Sequence, residues 1–155
     1  MALFRRTSRS DPEKVFIVCK NSYSTASLTN GQYVDWDFDS EADGVSVTLP
    51  NQRTANVTGM GAAGIAAETI ALNAYGLIQV YGYHSAVIVD SSTTVDIYTG
   101  APLFMSVAGV YLEGPYAASG TTDSMHVEHR PVACALEGYG SVATTGTIKA
   151  VIFAM

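Results

Sequence analysis

Three groups of residues in this 155-residue chain have side chains that could do chemistry. The first is Asp35, Asp37, Asp39, Glu41 and Asp43, which invites a calcium reading. A helix–loop–helix calcium loop needs glycine at its sixth position and glutamate at its twelfth. Counted from Asp35, those positions hold Ser40 and Ser46. The run therefore reads as the solvated face of a strand, whose charges discourage edge-to-edge pairing; cation binding at Asp35, Asp37 and Asp39 stays open. The second group is His126-Val127-Glu128-His129. Two histidines three apart could share a metal on a helical turn, but no third ligand lies near in sequence, and the order is not that of zinc hydrolases. It reads as a polar loop or interface segment. The third is His84, placed mid-strand and read as a hydrogen-bonded core or interface histidine rather than a base.

Other chemical signatures are weak. No serine sits in a G-x-S-x-G elbow, and no glycine-rich loop carries a phosphate-binding lysine. Gly59-Met60-Gly61-Ala62-Ala63-Gly64 matches G-x-G-x-x-G in letters, without the strand–turn–helix context that gives the motif meaning. Cys19 and Cys134 read as small buried hydrophobes of a protein made in a reducing cytoplasm. The expectation is a chain that is not an enzyme and uses no cofactor or metal.

Charge is unevenly placed. The net charge is −6, yet residues 1–14 hold Arg5, Arg6, Arg9 and Lys14 against Asp11 and Glu13. A basic arm on an acidic body suits an acidic partner surface. Arginine favours bidentate carboxylate pairs, so Phe4, Arg5, Arg6 and Arg9 are the expected partner-binding residues. Three arginines are a thin footprint for nucleic acid, and the acidic body has no basic face, so no direct nucleic-acid contact is expected. No apolar run is long enough to span a membrane, and the first residues lack the apolar stretch of a secretory signal.

The elements that must position these residues are strands. The chain is 48% hydrophobic and 14% charged, which argues against disorder. Gly76 to Asp90 is the longest strand signal, rich in β-branched and aromatic residues without proline. Gly82 is the expected bend that lets it serve two parts of a sheet. Shorter strands are expected at Val15 to Lys20, Tyr33 to Asp39, Val45 to Leu49, Ile65 to Ile70, Thr94 to Tyr98, Leu103 to Leu112 and Thr147 to Phe153. Asn30-Gly31 and Asp43-Gly44 mark turns. In Tyr33 to Asp39, Val34, Trp36 and Phe38 should face the core and the aspartates the solvent. Pro131 to Glu137 could form one helical turn. Residues 117–131 read as a functional or interface loop. No internal repeat of 20–50 residues is visible. Tyrosines such as Tyr81 and Tyr83 suit strand packing or interface anchoring equally.

The run Gly64-Ile65-Ala66-Ala67-Glu68-Thr69-Ile70, then Tyr75 to Gly82, then Thr99-Gly100-Ala101-Pro102-Leu103, resembles the core of small structural proteins of tailed-phage heads. Ala133-Cys134-Ala135-Leu136-Glu137, a glycine-rich loop and Ile148 to Ile152 are similar to the end of phage capsid decoration (cement) proteins. The resemblance covers about residues 60–155 and rests on structural punctuation rather than catalytic residues. It implies a β-rich virion protein on the capsid exterior, made in the host cytoplasm. Such a protein bridges neighbouring major capsid proteins, often as a trimer. The fold expected is all-β: a small β-barrel or sandwich, β-tulip-like, with an extended N-terminal arm over residues 1–13, a single domain over 14–155 and at most one short helix. Tyr81, Tyr83, His126 and His129 are the expected subunit-interface residues. A β-sandwich binding module for a host-surface carbohydrate or other receptor is the second reading.

Overall fold

A computed structural model describes residues 13–38, 44–50, 61–90, 96–105, 112–113, 131–140 and 145–154. The chain is all-β. Among the described residues the strands are β1 (Lys14–Asn21), β2 (Tyr33–Trp36), β3 (Ser46–Thr48), β4 (Ala62–Ala66), β5 (Tyr75–Asp90), β6 (Pro102–Met105), β7 (Leu112–Glu113), β8 (Ala133–Ala135) and β9 (Thr145–Phe153).

The spine is β5. Its 16 residues span roughly 50 Å at about 3.3 Å each. Gly82 divides it, as expected. Its φ is +98°, and a Cβ there would lie 1.8 Å from the Glu13 carbonyl oxygen. Only glycine lets β1 begin so close to β5. Gln79 is buried, and its Nε2 donates to the carbonyls of Tyr81 (3.2 Å), Gly82 (3.0 Å) and Tyr83 (3.1 Å). The irregular backbone therefore keeps its hydrogen bonds. Beyond it, the pairing with β9 slips between His84 and Val87, and the buried positions change from Ile78, Val80 and His84 to Val87 and Val89.

The strands form one sheet in the order β1-β3-β2-β4-β5-β7-β6-β8-β9, with added pairings β1–β5 and β5–β9. Those pairings close two circuits of five strands that share β5. Each circuit has a core. Cys19, Leu28, Val34, Val47, Ala63, Ala66, Ile70 and Ile78 fill the first. Val87, Val89, Leu103, Leu112, Ala133, Ile148, Ala150 and Ile152 fill the second, joined by Tyr33 and Ile65 from the first circuit. Each fully buried Ile or Leu contributes on the order of 1.5–3 kcal/mol.

The two circuits follow one plan. The parallel pair β1–β3 recurs as β5–β7, and the antiparallel pairs β2–β3, β2–β4, β4–β5 and β1–β5 recur as β6–β7, β6–β8, β8–β9 and β5–β9. Single contacts repeat too. The Leu28–Ile70 bridge recurs as Ile97–Tyr139. Gln32 N–H donates to Thr29 O (3.0 Å) as Ala101 N–H does to Tyr98 O (2.9 Å), and Gly31 N–H donates to Ala66 O as Gly100 N–H does to Ala135 O, both at 2.8 Å. Gly31 and Gly100 share φ +85°. Glu68 Oε1 accepts Leu77 N–H at 2.9 Å, and Glu137 Oε1 accepts Lys149 N–H at 2.8 Å.

Several boundaries differ from expectation. Pro131 to Glu137 holds no helical turn; it contains β8, held extended between β6 and β9. From Leu103 to Leu112, the described parts are two strands that pair antiparallel, Phe104 opposite Glu113. Ile97 forms only an isolated bridge. The acidic strand is the largest correction. Asp35 and Asp37 are buried, at 3% and 5% exposure, while Phe38 is exposed and Trp36 half-buried. β2 lies between β3 and β4, and its register with β4 slips at Val34/Asp35. The slip breaks the simple alternation. Tyr33 Oη donates to Asp35 Oδ1, and Ser22 Oγ donates to Asp37 Oδ2 at 2.6 Å. Buried carboxylates persist when they are bonded in this way.

Candidate binding surface

The outward face of β1 and β5 is apolar, and no other described strand covers it. Cross-strand pairs set Val18 beside Leu77, Lys20 beside Tyr75 and Val15 beside Tyr81. On that face Val18 is 61% exposed, Tyr75 64% and Phe16 40%, with Leu77, Val15 and Tyr81 also exposed. The face continues onto β9, where Phe153 lies opposite Tyr81 and Val151 opposite Tyr83. An isolated exposed apolar residue is unremarkable, but a contiguous set marks a surface that meets something else. The same residue types explain its shape. β-branched and aromatic side chains hold both strands extended, and they leave the outer face apolar because the inner face already fills the core.

Lysines border the patch. Lys14 Nζ sits 5.7 Å from the centroid of the Tyr83 ring, within reach of a cation–π contact. Lys149 pairs with Glu137 at 3.1 Å. The Lys149 backbone N–H first, and then that side-chain contact, hold the Glu137 carboxyl below its usual range, and Glu137 raises the Lys149 ammonium. Glu68 is anchored to Leu77 N–H at the rim.

His84 lies on the buried side of β5, where Ala86 N–H donates to its Nδ1 at 3.1 Å. Burial lowers its pKa from 6.5, the charge of Lys14 lowers it further, and a hydrogen bond with the Ala66 backbone opposes both. Cys19 is buried and Cys134 only half-buried, and neither is joined in a disulfide; Cys134 Sγ lies 3.5 Å from Gly100 O.

Of the expected site residues, Tyr81 lies on the apolar face and Tyr83 is half-buried beside Lys14. Phe4, Arg5, Arg6, Arg9, His126, His129 and Asp39 lie outside the described residues, as does nearly all of the 117–131 loop. Convergence of His84 with His126 and His129 therefore has no geometry to judge it. Among the described residues, no group of three His, Cys, Asp or Glu side chains is placed to hold a metal. Phe16, Val18 and Leu77 carry the patch, and the sequence signals them only faintly. In β1 the run Val15-Phe16-Ile17-Val18 is apolar at every position, so period two cannot say which side is covered. Compared with known proteins, the chain matches no family model and no curated protein.

Proposed function

We propose that the chain is a structural binding protein of a virion. It decorates the outer surface of an icosahedral phage capsid, bridges neighbouring major capsid proteins, acts as a homo-oligomer such as a trimer, and catalyses nothing. The observation that carries the binding role is the contiguous apolar face of β1 and β5, centred on Val18 and Leu77. The target comes from the resemblance of residues 60–155 to decoration proteins. Cementing needs no reactive group; it needs many symmetric contacts whose avidity exceeds that of one site. In this reading the basic arm with Phe4, Arg5, Arg6 and Arg9 docks on carboxylates of the capsid protein.

Co-sedimentation of the purified chain with empty shells tests the proposal. Removing residues 1–13 should leave a folded body whose shell binding is weaker and less sensitive to salt, because exposed charge pairs are screened. Full occupancy by the truncated chain with unchanged salt dependence removes the arm from the proposal. Failure of the intact chain to bind any shell removes the capsid.

A further inference from the structure

The repeated plan lets each half serve as a control for the other. Asn21 pairs with Val47 as Val89 pairs with Leu112. That equivalence sets Lys20 of β1 against Ile88 of β5. The pairings with β5 and with β9 then set Phe16 against Tyr83, and Val18 against the irregular Ser85–Ala86 step. In the second half this strand is covered by the first. The Gly31 carbonyl accepts Ile88 N–H at 2.8 Å, and a Cβ on Gly31 would lie 2.0 Å from Ala86 O. Gly31 is buried there, and Tyr83, Ala86 and Ile88 are half-buried.

Among the described residues, neither side of this contact is used a second time. On β1, Phe16 and Val18 are exposed. The turn equivalent to Thr29–Gly31 is Tyr98–Gly100. It has the same hydrogen bond and the same glycine φ, yet Tyr98 is 69% exposed and, among the described residues, nothing lies within 4 Å of a Cβ on Gly100. Stacked repeats leave such surfaces open only at their ends. Two complementary open ends on one chain define a heterologous contact, which builds rings or filaments. A two-fold contact through β1 alone would instead bring Lys14 and Lys20 toward their own copies.

We infer that the chain associates head to tail with further copies of itself, the Tyr98–Gly100 turn of one copy packing on the outer face of β1 at Phe16 and Val18 of the next. Lys20 N–H already donates to Val45 O at 3.0 Å. The contact between copies is therefore made by side chains and does not repeat the Ile88–Gly31 hydrogen bond. It deepens the oligomeric part of the proposed function and is read on the purified chain without a shell. Loss of shell binding with intact self-association thus separates the two.

The test is native mass spectrometry with light scattering on the full chain and on Val18→Asp and Tyr98→Asp. Both side chains are largely exposed, so circular dichroism should show the fold retained; if Val18→Asp unfolds, Phe16→Lys replaces it. The wild type should be larger than a monomer and each variant a monomer. Mixing the two variants should give a one-to-one heterodimer and nothing larger, because the mixture contains one intact pair of surfaces. A monomeric wild type, variants that stay assembled, or a mixture that yields no heterodimer overturns the inference.

Discussion

Replacing Gly82 by alanine attacks the fold where its two circuits join. Two costs arise. A side chain at φ +98° is strained, by about 1–2 kcal/mol for an L residue in the left-handed region. The new Cβ would also meet Glu13 O at 1.8 Å, Glu13 C at 2.9 Å and Lys14 Cα at 3.1 Å. All three are backbone atoms, so β1 must retreat from β5, and forcing a methyl group into packed structure costs roughly 1–3 kcal/mol. The sum, about 2–5 kcal/mol, is a large part of a typical stability of roughly 5–15 kcal/mol. At about 2–4 °C per kcal/mol for a chain of this length, the melting temperature should fall by roughly 4–20 °C. Gly44→Ala is the control. Its φ is +72° with nothing within 4 Å of the new atom, so it carries backbone strain without the collision. Thermal melts and urea titrations of both variants measure the difference. If Gly82→Ala loses no more stability than Gly44→Ala, the close approach of β1 at Glu13 is not what requires glycine, and the reasoning fails.

Three further outcomes follow from buried groups. The folded state holds the His84 pKa below 6.5, so its contribution to stability is fully present above that value. It is lost as pH falls through the lowered folded value, because the unfolded chain takes up the proton first. Urea titrations between pH 7.5 and 5 should show this slope, and His84→Asn should flatten it; an identical slope in the variant contradicts the assignment. Tyr33→Phe removes the hydroxyl that donates to buried Asp35, which should cost about 1–3 kcal/mol, read as a lower urea midpoint; an unchanged midpoint refutes it. Iodoacetamide should label half-buried Cys134 in the native protein and buried Cys19 only after unfolding, as peptide mass mapping will show. Equal labelling of both in native buffer contradicts the burial.

The strands were legible where the residue pattern had one meaning. Gly76 to Asp90 announced β5, and Gly82 its division, because a long β-branched run interrupted by one glycine has few other readings. The acidic strand misled because alternation normally separates water from core. It cannot reveal that Asp35 is buried against the hydroxyl of Tyr33, two residues earlier on the same strand, or that Asp37 is held by Ser22 in the loop after β1. The helical turn expected over Pro131 to Glu137 gives way to pairing with β6 and β9, which no local signal in that segment reveals. The repeated plan is not legible in the sequence for two reasons. Its period exceeds the 20–50 residues of ordinary repeats, and its matched turns and strands keep few identities, among them Gly31 with Gly100, Ala66 with Ala135 and Glu68 with Glu137. Two of the segments that carry the phage resemblance, Gly64 to Ile70 and Ala133 to Glu137, are the same element of the two halves. The apolar patch was only partly legible: Tyr81 stood out by residue type, whereas the exposure of Val18 and Leu77 depends on which side of β1 and β5 the core occupies.

Glu13 and Ala154 bound β1 and β9, and both strands finish beside the middle of β5, Val15 on one edge of Tyr81 and Phe153 on the other. Neighbouring strands are about 4.8 Å apart, so the two ends of the body leave it roughly 10 Å from one another. A load applied across those ends would not slide strands past each other. It would peel β1 from Lys14 inward and β9 from Phe153 inward, opening hydrogen bonds one at a time as a zipper does. Force entering at Glu13 and Ala154 meets the body along its least resistant direction.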